Sequence, residues 1–433
     1  MKTFLAKNDY HIFRILCILL AGWMLHTLFT FDWSSFNYAS FGLSDWMINY
    51  EGGFVRRGLI GQLLLELYEI HPFSIRNVVA AIVIVSFLLL QWLLIRLFRT
   101  EGWSYTLLFA PFMVYNLMTR YNMGAFAMRR DFLVLLIMWG IFFLYAKYKE
   151  KKSWTSFFAF QLLSVLILLI YEPSFFFTFP ILLINYYLYL CKQEKSKILS
   201  VIKTLLFFSP AILTMVALCL FNGNEDTATL IWDSWIPCME RYPTSSGTEM
   251  GAGVGFLRLD TLYVMKFHLS CNFGGSFLLS HSFPSFPFTL ANIVFIYYLV
   301  TRLNTVDLKW NITKTYDMCR LSNIMLIQLV SLLPMFTVLS CDWGRTLPYW
   351  VVSSLVAYHL LKNDDMCILP IIGRTSIVLQ SCIDRITILK NPWWYLTILF
   401  SLPIPYCFRA TLYDSIPMQI FVQIRELISN LAL

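Results

Sequence analysis

The run Phe132-Leu-Val-Leu-Leu-Ile-Met-Trp-Gly-Ile-Phe-Phe-Leu-Tyr-Ala-Lys147 decides the fold class. No charge interrupts it before Lys147, and as a helix rising about 1.5 Å per residue it covers most of a hydrocarbon layer about 30 Å thick. Comparable runs recur along the chain, about 11 in all, near 11–31, 77–98, 104–118, 132–147, 154–171, 174–191, 201–221, 288–301, 322–340, 346–361 and 393–410. The 433 residues are 58 % hydrophobic and 13 % charged, with a mean hydropathy of +0.65. Soluble domains carry about a quarter charged residues. The composition excludes a disordered chain, a secreted disulfide scaffold and a nucleic-acid module. It predicts an all-α, polytopic helical membrane protein of about 11 (10–12) transmembrane helices.

The 10 cysteines sit singly and the 6 histidines show no ligand spacing, so no metal and no cofactor is expected. The first run lacks a small-residue cleavage site and reads as a retained signal-anchor. No internal repeat or soluble domain interrupts the chain, and residues 1–433 read as a single integral membrane domain. Its outer loops are 32–76, 119–131 and 222–287. The segment 366–381 contains Pro370, Gly373 and Arg374 and reads as re-entrant, interfacial or a poor further span. The tail 411–433 spaces Ile416, Ile420, Ile424, Leu427 and Leu431 as an amphipathic surface helix does.

The positive-inside rule orients these spans with the N-terminus in the cytoplasm. Every lysine except Lys266 then falls in an inner segment, whereas the outer basic residues are otherwise arginines. A topology signal alone has no reason to prefer one cation over the other. Arginine's planar fork suits bidentate recognition of carboxylate or phosphate, and a lysine point charge does not. The outer face therefore reads as an anion-binding surface.

Its loops hold four charged clusters. The first is Asp45-Trp-Met-Ile-Asn-Tyr-Glu51-Gly52-Gly53-Phe54-Val55-Arg56-Arg57-Gly58. The glycines give a turn, and a helix is expected to begin near Phe54 with both arginines in its first turn, an anion site by charge and dipole. The second is Arg129-Arg130-Asp131, with a salt bridge capping a helix from Asp131 as the plainer reading. Glu172-Pro173 is the third, a carboxylate among apolar neighbours that needs a polar cavity or a partner. Asp342-Trp-Gly-Arg345 is the fourth, a tight turn between two late spans. Aromatic residues of the 222–287 loop, including Trp232, Trp235, Tyr242 and Tyr263, suit either sugar rings or interface anchoring.

All four clusters fall on one side, which is the constellation expected of an enzyme handling a diphosphate. The candidate catalytic carboxylates are Glu51, Asp45, Glu172 and Asp342. Arg56, Arg57, Arg129, Arg130 and Arg345 are the candidate diphosphate ligands, supported by Gly52, Gly53, Gly58 and Asp131. The expected reaction is metal-independent glycosyl transfer from a polyprenyl-diphosphate-linked sugar. A transporter or flippase of an anionic lipid-linked glycan, or a membrane transferase modifying a surface glycan, is the alternative.

Gly-Gly-Phe-Val-Arg-Arg-Gly-Leu-Ile-Gly (52–61) after a first span, with Asp-Trp-Gly-Arg (342–345) between two late spans, resembles bacterial membrane proteins of surface-polysaccharide gene clusters. These are similar in size and topology to Wzy-type O-antigen and capsule repeat-unit polymerases, whose architecture is related to the GT-C membrane glycosyltransferases. The likeness covers the whole chain in topology and about 20 residues in motif. It implies a GT-C-like fold and polymerisation of surface-polysaccharide repeat units. The bacterial inner membrane is then the location, with the active face periplasmic. A polyprenyl-diphosphate-linked glycan and membrane lipids are the implied partners, with flippase and chain-length regulator proteins beside them. The chain departs from the polymerases in having one large outer loop where two are often found.

Overall fold

The computed structural model describes residues 36–101, 129–244, 249–273, 285–298, 318–340 and 342–361, with isolated positions 378, 421, 425 and 428. The spans expected at 11–31, 104–118 and 393–410 lie outside the described residues. So do the segment 366–381 and the tail 411–433, apart from the isolated positions. The structure is all-α, 80 % helix, with no strand among the described residues.

The elements in chain order are α1 (Phe41–Ser44), α2 (Gly58–Ile70), α3 (Ile75–Glu101), α4 (Asp131–Lys151), α5 (Trp154–Ile170), α6 (Ser174–Gln193), α7 (Lys197–Phe207) and α8 (Ser209–Leu220). They continue with α9 (Glu225–Ser234), α10 (Ile236–Arg241), α11 (Ala252–Gly255), α12 (Thr261–Phe273), α13 (Ser285–Tyr298), α14 (Met318–Ser331), α15 (Leu333–Thr337) and α16 (Trp343–Leu360). Short 3-10 turns at Asp45–Met47 and Phe256–Arg258 complete the set. Among the described residues three helices are long and apolar enough to cross a membrane: Ile75–Leu94 of α3, α4 and α6, with mean hydropathies of 2.4, 1.6 and 1.5. The pair α7 and α8 makes a fourth when counted together, bent by 63°.

Their surfaces explain why lipid is the fitting solvent. In α7, Ile198, Val201, Ile202, Leu205 and Leu206 are exposed, while Ser200 and Thr204 are buried. The buried hydroxyls are satisfied by their own helix, Ser200 donating to Ser196 O at 3.2 Å and Thr204 to Ser200 O at 2.7 Å. Apolar residues outside and polar ones inside reverse the order found in water. Leu88, Leu89 and Trp92 on α3, Phe143 on α4 and Leu162 on α5 continue the apolar exterior.

Helix α4 packs on α3, α5, α6 and α16, and α14 packs on α6 and α16. Pro180 inside α6 removes a backbone donor and opens the ladder there. Next to the carbonyl so freed, that of Phe176, the Gln328 amide of α14 donates to Phe177 O at 2.9 Å and to Ser353 Oγ at 3.1 Å. At the far end of α4, Lys152 stops the helix in a left-handed conformation, φ 51°. Lys149 there reaches Asn185 Oδ1 at 3.2 Å. Lysines thus gather at one end of α4, with Asp131 and two arginines at the other.

Three expectations need correction. Helix α2 begins at Gly58, not near Phe54, so Arg56 and Arg57 precede it instead of forming its first turn. The expected span 201–221 is broken at Phe208, where Pro210 at the start of α8 cannot continue the donor ladder. The span 322–340 is likewise divided between α14 and α15 by Leu332, ahead of Pro334.

The segment 36–57 and the long loop after α8 fold together as one cap. Trp235 is fully buried and its indole donates to Met47 O at 2.7 Å. Asn49 Nδ2 donates to Ser234 Oγ at 2.8 Å, and Gly253 N to Ser44 Oγ at 2.8 Å. Trp232 is also buried, so these two tryptophans are cap core and face neither a cleft nor lipid; Tyr263 is exposed. Gly253 lets α11 touch the backbone of the site: a Cβ there would lie 2.4 Å from Asp45 N. Gly253→Ala should therefore cost about 1–3 kcal/mol by overpacking, read as a lowered thermal midpoint in detergent. Gly255→Ala, whose Cβ meets nothing within 4 Å, should leave the midpoint unchanged.

Candidate functional site

Tyr50 to Gly53 form a tight turn, closed by Gly53 N donating to Tyr50 O at 2.9 Å. Gly53 takes φ 99°, which side chains with a Cβ rarely adopt. Gly52 and Gly58 are held by proximity, since a Cβ on either would meet Thr227 backbone at 2.6 Å or the Tyr50 ring at 2.3 Å. The turn delivers Arg57 in a left-handed conformation, φ 64° and ψ 9°, as the N-cap of α2. For a long side chain this costs roughly 1–3 kcal/mol. Its surroundings hold it there.

Arg57 donates from Nε and Nη2 to the two oxygens of Glu172, each at 2.8 Å, a bidentate fork. Its Nη1 donates to Asp45 Oδ1 at 3.3 Å. Arg130 pairs through Nε with Asp45 Oδ2 at 3.3 Å. Arg130 Nη1 donates to Arg57 O at 2.9 Å and to Ile170 O at 2.7 Å. Arg56 approaches Glu172 at 3.9 Å. These contacts draw together the first loop, the start of α4 and the α5–α6 turn.

A second group joins it. Arg345 donates to Asp131 Oδ1 at 2.6 Å from Nη2 and 3.1 Å from Nε. Arg129 donates to Asp342 Oδ2 at 3.3 Å, and the Tyr349 hydroxyl also donates to Asp131. Within the Asp342–Arg345 turn itself the pair is only 3.9 Å apart, so each finds its closer partner on another segment. Tyr171 bridges the two groups. Its ring lies 5.1 Å from the Arg57 guanidinium carbon and 5.5 Å from that of Arg345, and its hydroxyl accepts from Arg345 Nη2 at 3.2 Å. The Tyr171 ring thus contributes an uncharged face between the two groups.

Of the sequence candidates, Asp45, Arg56, Arg57, Arg129, Arg130, Asp131, Glu172, Asp342 and Arg345 converge. Glu51 sits beside the group on the turn. It is exposed, makes no ion pair among the described residues, and has a long contact, 3.5 Å, from Gln62 Nε2. Among the described residues no group of three or more His, Cys, Asp or Glu could hold a metal ion. Tyr171, Tyr349 and Gly253 were missed. Tyr171 had one readable signal, a polar-tipped aromatic directly before the lone carboxylate of an apolar stretch.

Exposure divides the cluster. Arg130 and Asp45 side chains are 1 % and 5 % exposed, whereas Arg57, Arg56 and Glu172 keep 21 %, 23 % and 14 %. The former pair is foundation, and the latter three form the lip together with Arg345 at 13 %. Burial alone would raise the Asp45 carboxyl, but Arg130 and Arg57 override it and hold it below its ordinary 3.8. Burial likewise opposes the charge on Glu172, and Arg57 with Arg56 hold its carboxyl below 4.5. With five arginines against Asp45, Asp131, Glu172 and Asp342, the cluster carries one net positive charge.

No family model, curated protein or solved structure matches the chain.

Two outcomes follow from this geometry. Arg130→Met removes the more buried of the two guanidinium partners of Asp45 and leaves the Arg57 and Ile170 carbonyls without their donor, and should cost about 3–5 kcal/mol, whereas Arg56→Gln at the lip should cost far less; thermal midpoints in detergent compare them. Because the Asp45 and Glu172 pKa values are depressed on folding, their contribution to stability is present above their unfolded values and lost as pH falls through the folded ones. The midpoint should hold steady down to about pH 5 and fall below the ordinary carboxylate range, and less steeply in Glu172→Gln.

Proposed function

We propose that the chain is a polytopic membrane glycosyltransferase of about 11 spans and GT-C-like architecture, acting on a polyprenyl-diphosphate-linked glycan and polymerising surface-polysaccharide repeat units. The observation that carries this reading is the convergence of five arginines and four carboxylates from four chain-distant segments. A cluster with excess arginine and a partly open lip suits a diphosphate, whose paired phosphoryl groups take several fork donors at once.

Two further features support it. The lysine-bearing end of α4 and the arginine cluster stand at opposite ends of the same helix, which agrees with an inner lysine face and an outer arginine face. The bacterial inner membrane is then the location, with the N-terminus cytoplasmic and the cluster periplasmic. Charges are absent from the middle of α4, α5, α6 and α16. A rim site favours chemistry at headgroup level over a translocation path, which needs polar groups along its length.

In this reading Arg56 and Arg57 bind the diphosphate at the lip, and Arg345 with Arg129 supports the neighbouring anionic charge. Asp45, Glu172 and Asp342 each hold an arginine and are poor proton acceptors while they do so. Glu51, on the same turn and without an arginine partner, is the base. It takes the proton of the acceptor hydroxyl as that oxygen bonds the anomeric carbon. The bond from that carbon to the diphosphate oxygen breaks, and polyprenyl diphosphate leaves against the arginines. The reaction needs no metal because guanidinium groups meet the developing charge.

Surface polysaccharide from a deletion strain, complemented with single variants and resolved on a gel, tests the proposal. Glu51→Gln should reduce a long ladder to core plus one repeat. Arg57→Lys keeps the charge but loses the fork, and should lower polymerisation at least about tenfold. Loss of all surface glycan on deletion would point instead to a flipping or earlier transfer step. An unchanged ladder on deletion would remove the polymerase reading.

A further inference from the structure

The Arg57 fork already holds an anion of its own. Glu172 engages it through two 2.8 Å hydrogen bonds in the geometry that a phosphoryl group would use. Glu172 is also among the more open members of the cluster, with Arg56, Arg57 and Arg345, so a ligand arriving from outside can reach this pair. Arg57 does not need Glu172 to stay in place. Its third donor remains on Asp45, and its carbonyl remains on Arg130. The backbone around Glu172 is pinned on both sides, by Tyr171 N on Ile167 O at 2.8 Å and Phe175 N on Glu172 O at 3.1 Å. Only the carboxylate side chain must swing away. Arg56, at 3.9 Å from Glu172 and without a hydrogen bond among the described residues, supplies a second guanidinium once it does.

We propose that Glu172 is an internal counter-anion seated on the Arg57 fork, and that the ligand binds by displacing it. The inference rests on the diphosphate reading above and adds what sets the site's selectivity. Displacement imposes one fixed penalty on every anion. A diphosphate offsets it by engaging Arg56 and Arg57 together, whereas a singly charged phosphodiester replaces one carboxylate with a weaker equivalent. Glu172 thereby keeps the lip closed to the phospholipid headgroups that surround it in far greater number.

The full-length protein in detergent is titrated calorimetrically with inorganic pyrophosphate and, separately, with dihexanoyl phosphatidylglycerol. Wild type should bind pyrophosphate measurably and the phosphodiester not. Glu172→Gln should bind pyrophosphate about tenfold more tightly and begin to bind the phosphodiester. Glu172→Asp decides between displacement and simple repulsion, because it keeps the charge but is one methylene too short to reach the fork from the same backbone position. It should also tighten pyrophosphate binding, and retaining the charge guards against loss of folding. Folded Glu172→Asp with wild-type affinity would overturn the displacement while leaving the diphosphate reading intact. No pyrophosphate binding by wild type or either variant would overturn both. Wild type binding phosphatidylglycerol as tightly as pyrophosphate would also overturn both, and would identify the ligand as a lipid headgroup.

Discussion

One side chain, Arg130, ties the architecture to the site. It stands at the N-terminus of α4 with almost no exposure, yet it contacts Asp45 of the first loop, the Arg57 carbonyl and the last carbonyl of α5. A guanidinium in that position cannot be solvated by water, so protein must meet its charge, which Asp45 does, while two carbonyls take its Nη1 donors. Meeting them fixes where the first loop sits on the helices. It also explains how Arg57 persists in a backbone conformation that its side chain disfavours. The strained residue is held from its carbonyl by one arginine and from its fork by two carboxylates.

The cap serves the same end by packing instead of charge. Trp235, Asn49, Ser44 and Gly253 join the 36–50 segment to the long loop through contacts that exclude side-chain bulk at the closest points. Asp45 is therefore positioned from both sides, by the α11 backbone above it and by arginines beside it. The result is a rigid floor under a lip of Arg56, Arg57, Glu172 and Arg345, which is the arrangement that preorganised electrostatic binding requires. Tyr171 extends that floor to the second charge group with a ring that needs no counter-charge.

Composition and apolar run length were enough to read the all-α class and the positions of α3, α4, α5, α6 and α16 to within a few residues. The charged candidates were legible for a different reason: each was a costly residue beside an apolar stretch, and such residues need partners. Which partner each would find was not legible. Asp342 and Arg345 look like a local pair in sequence, yet their closer contacts are Arg129 and Asp131, more than 200 positions away. The start of α2 was misread because glycines free a turn without fixing its length, and Arg57 absorbs the left-handed position that sequence would assign to Gly or Asn. The broken spans were masked by unbroken hydropathy, since Phe208 and Leu332 are as apolar as their neighbours. The tryptophans of the long loop were placed outward because their composition matches interface aromatics, and only packing against Met47 distinguishes a core residue from an anchor.

The order in which the chain is made gives the composite cap a further meaning. Asp45 and Arg57 emerge early, but Arg130, Glu172 and the glycines of α11 follow one after another, and Asp342 and Arg345 come last. Until Arg130 and Glu172 are made, Asp45 and Arg57 have only each other among these partners, and the Met47 carbonyl waits for the Trp235 indole. A nascent chain that stalls midway presents an open, uncompensated loop at the membrane surface. The cluster therefore closes in the order of synthesis, and its last ion pairs wait for residues 342–345.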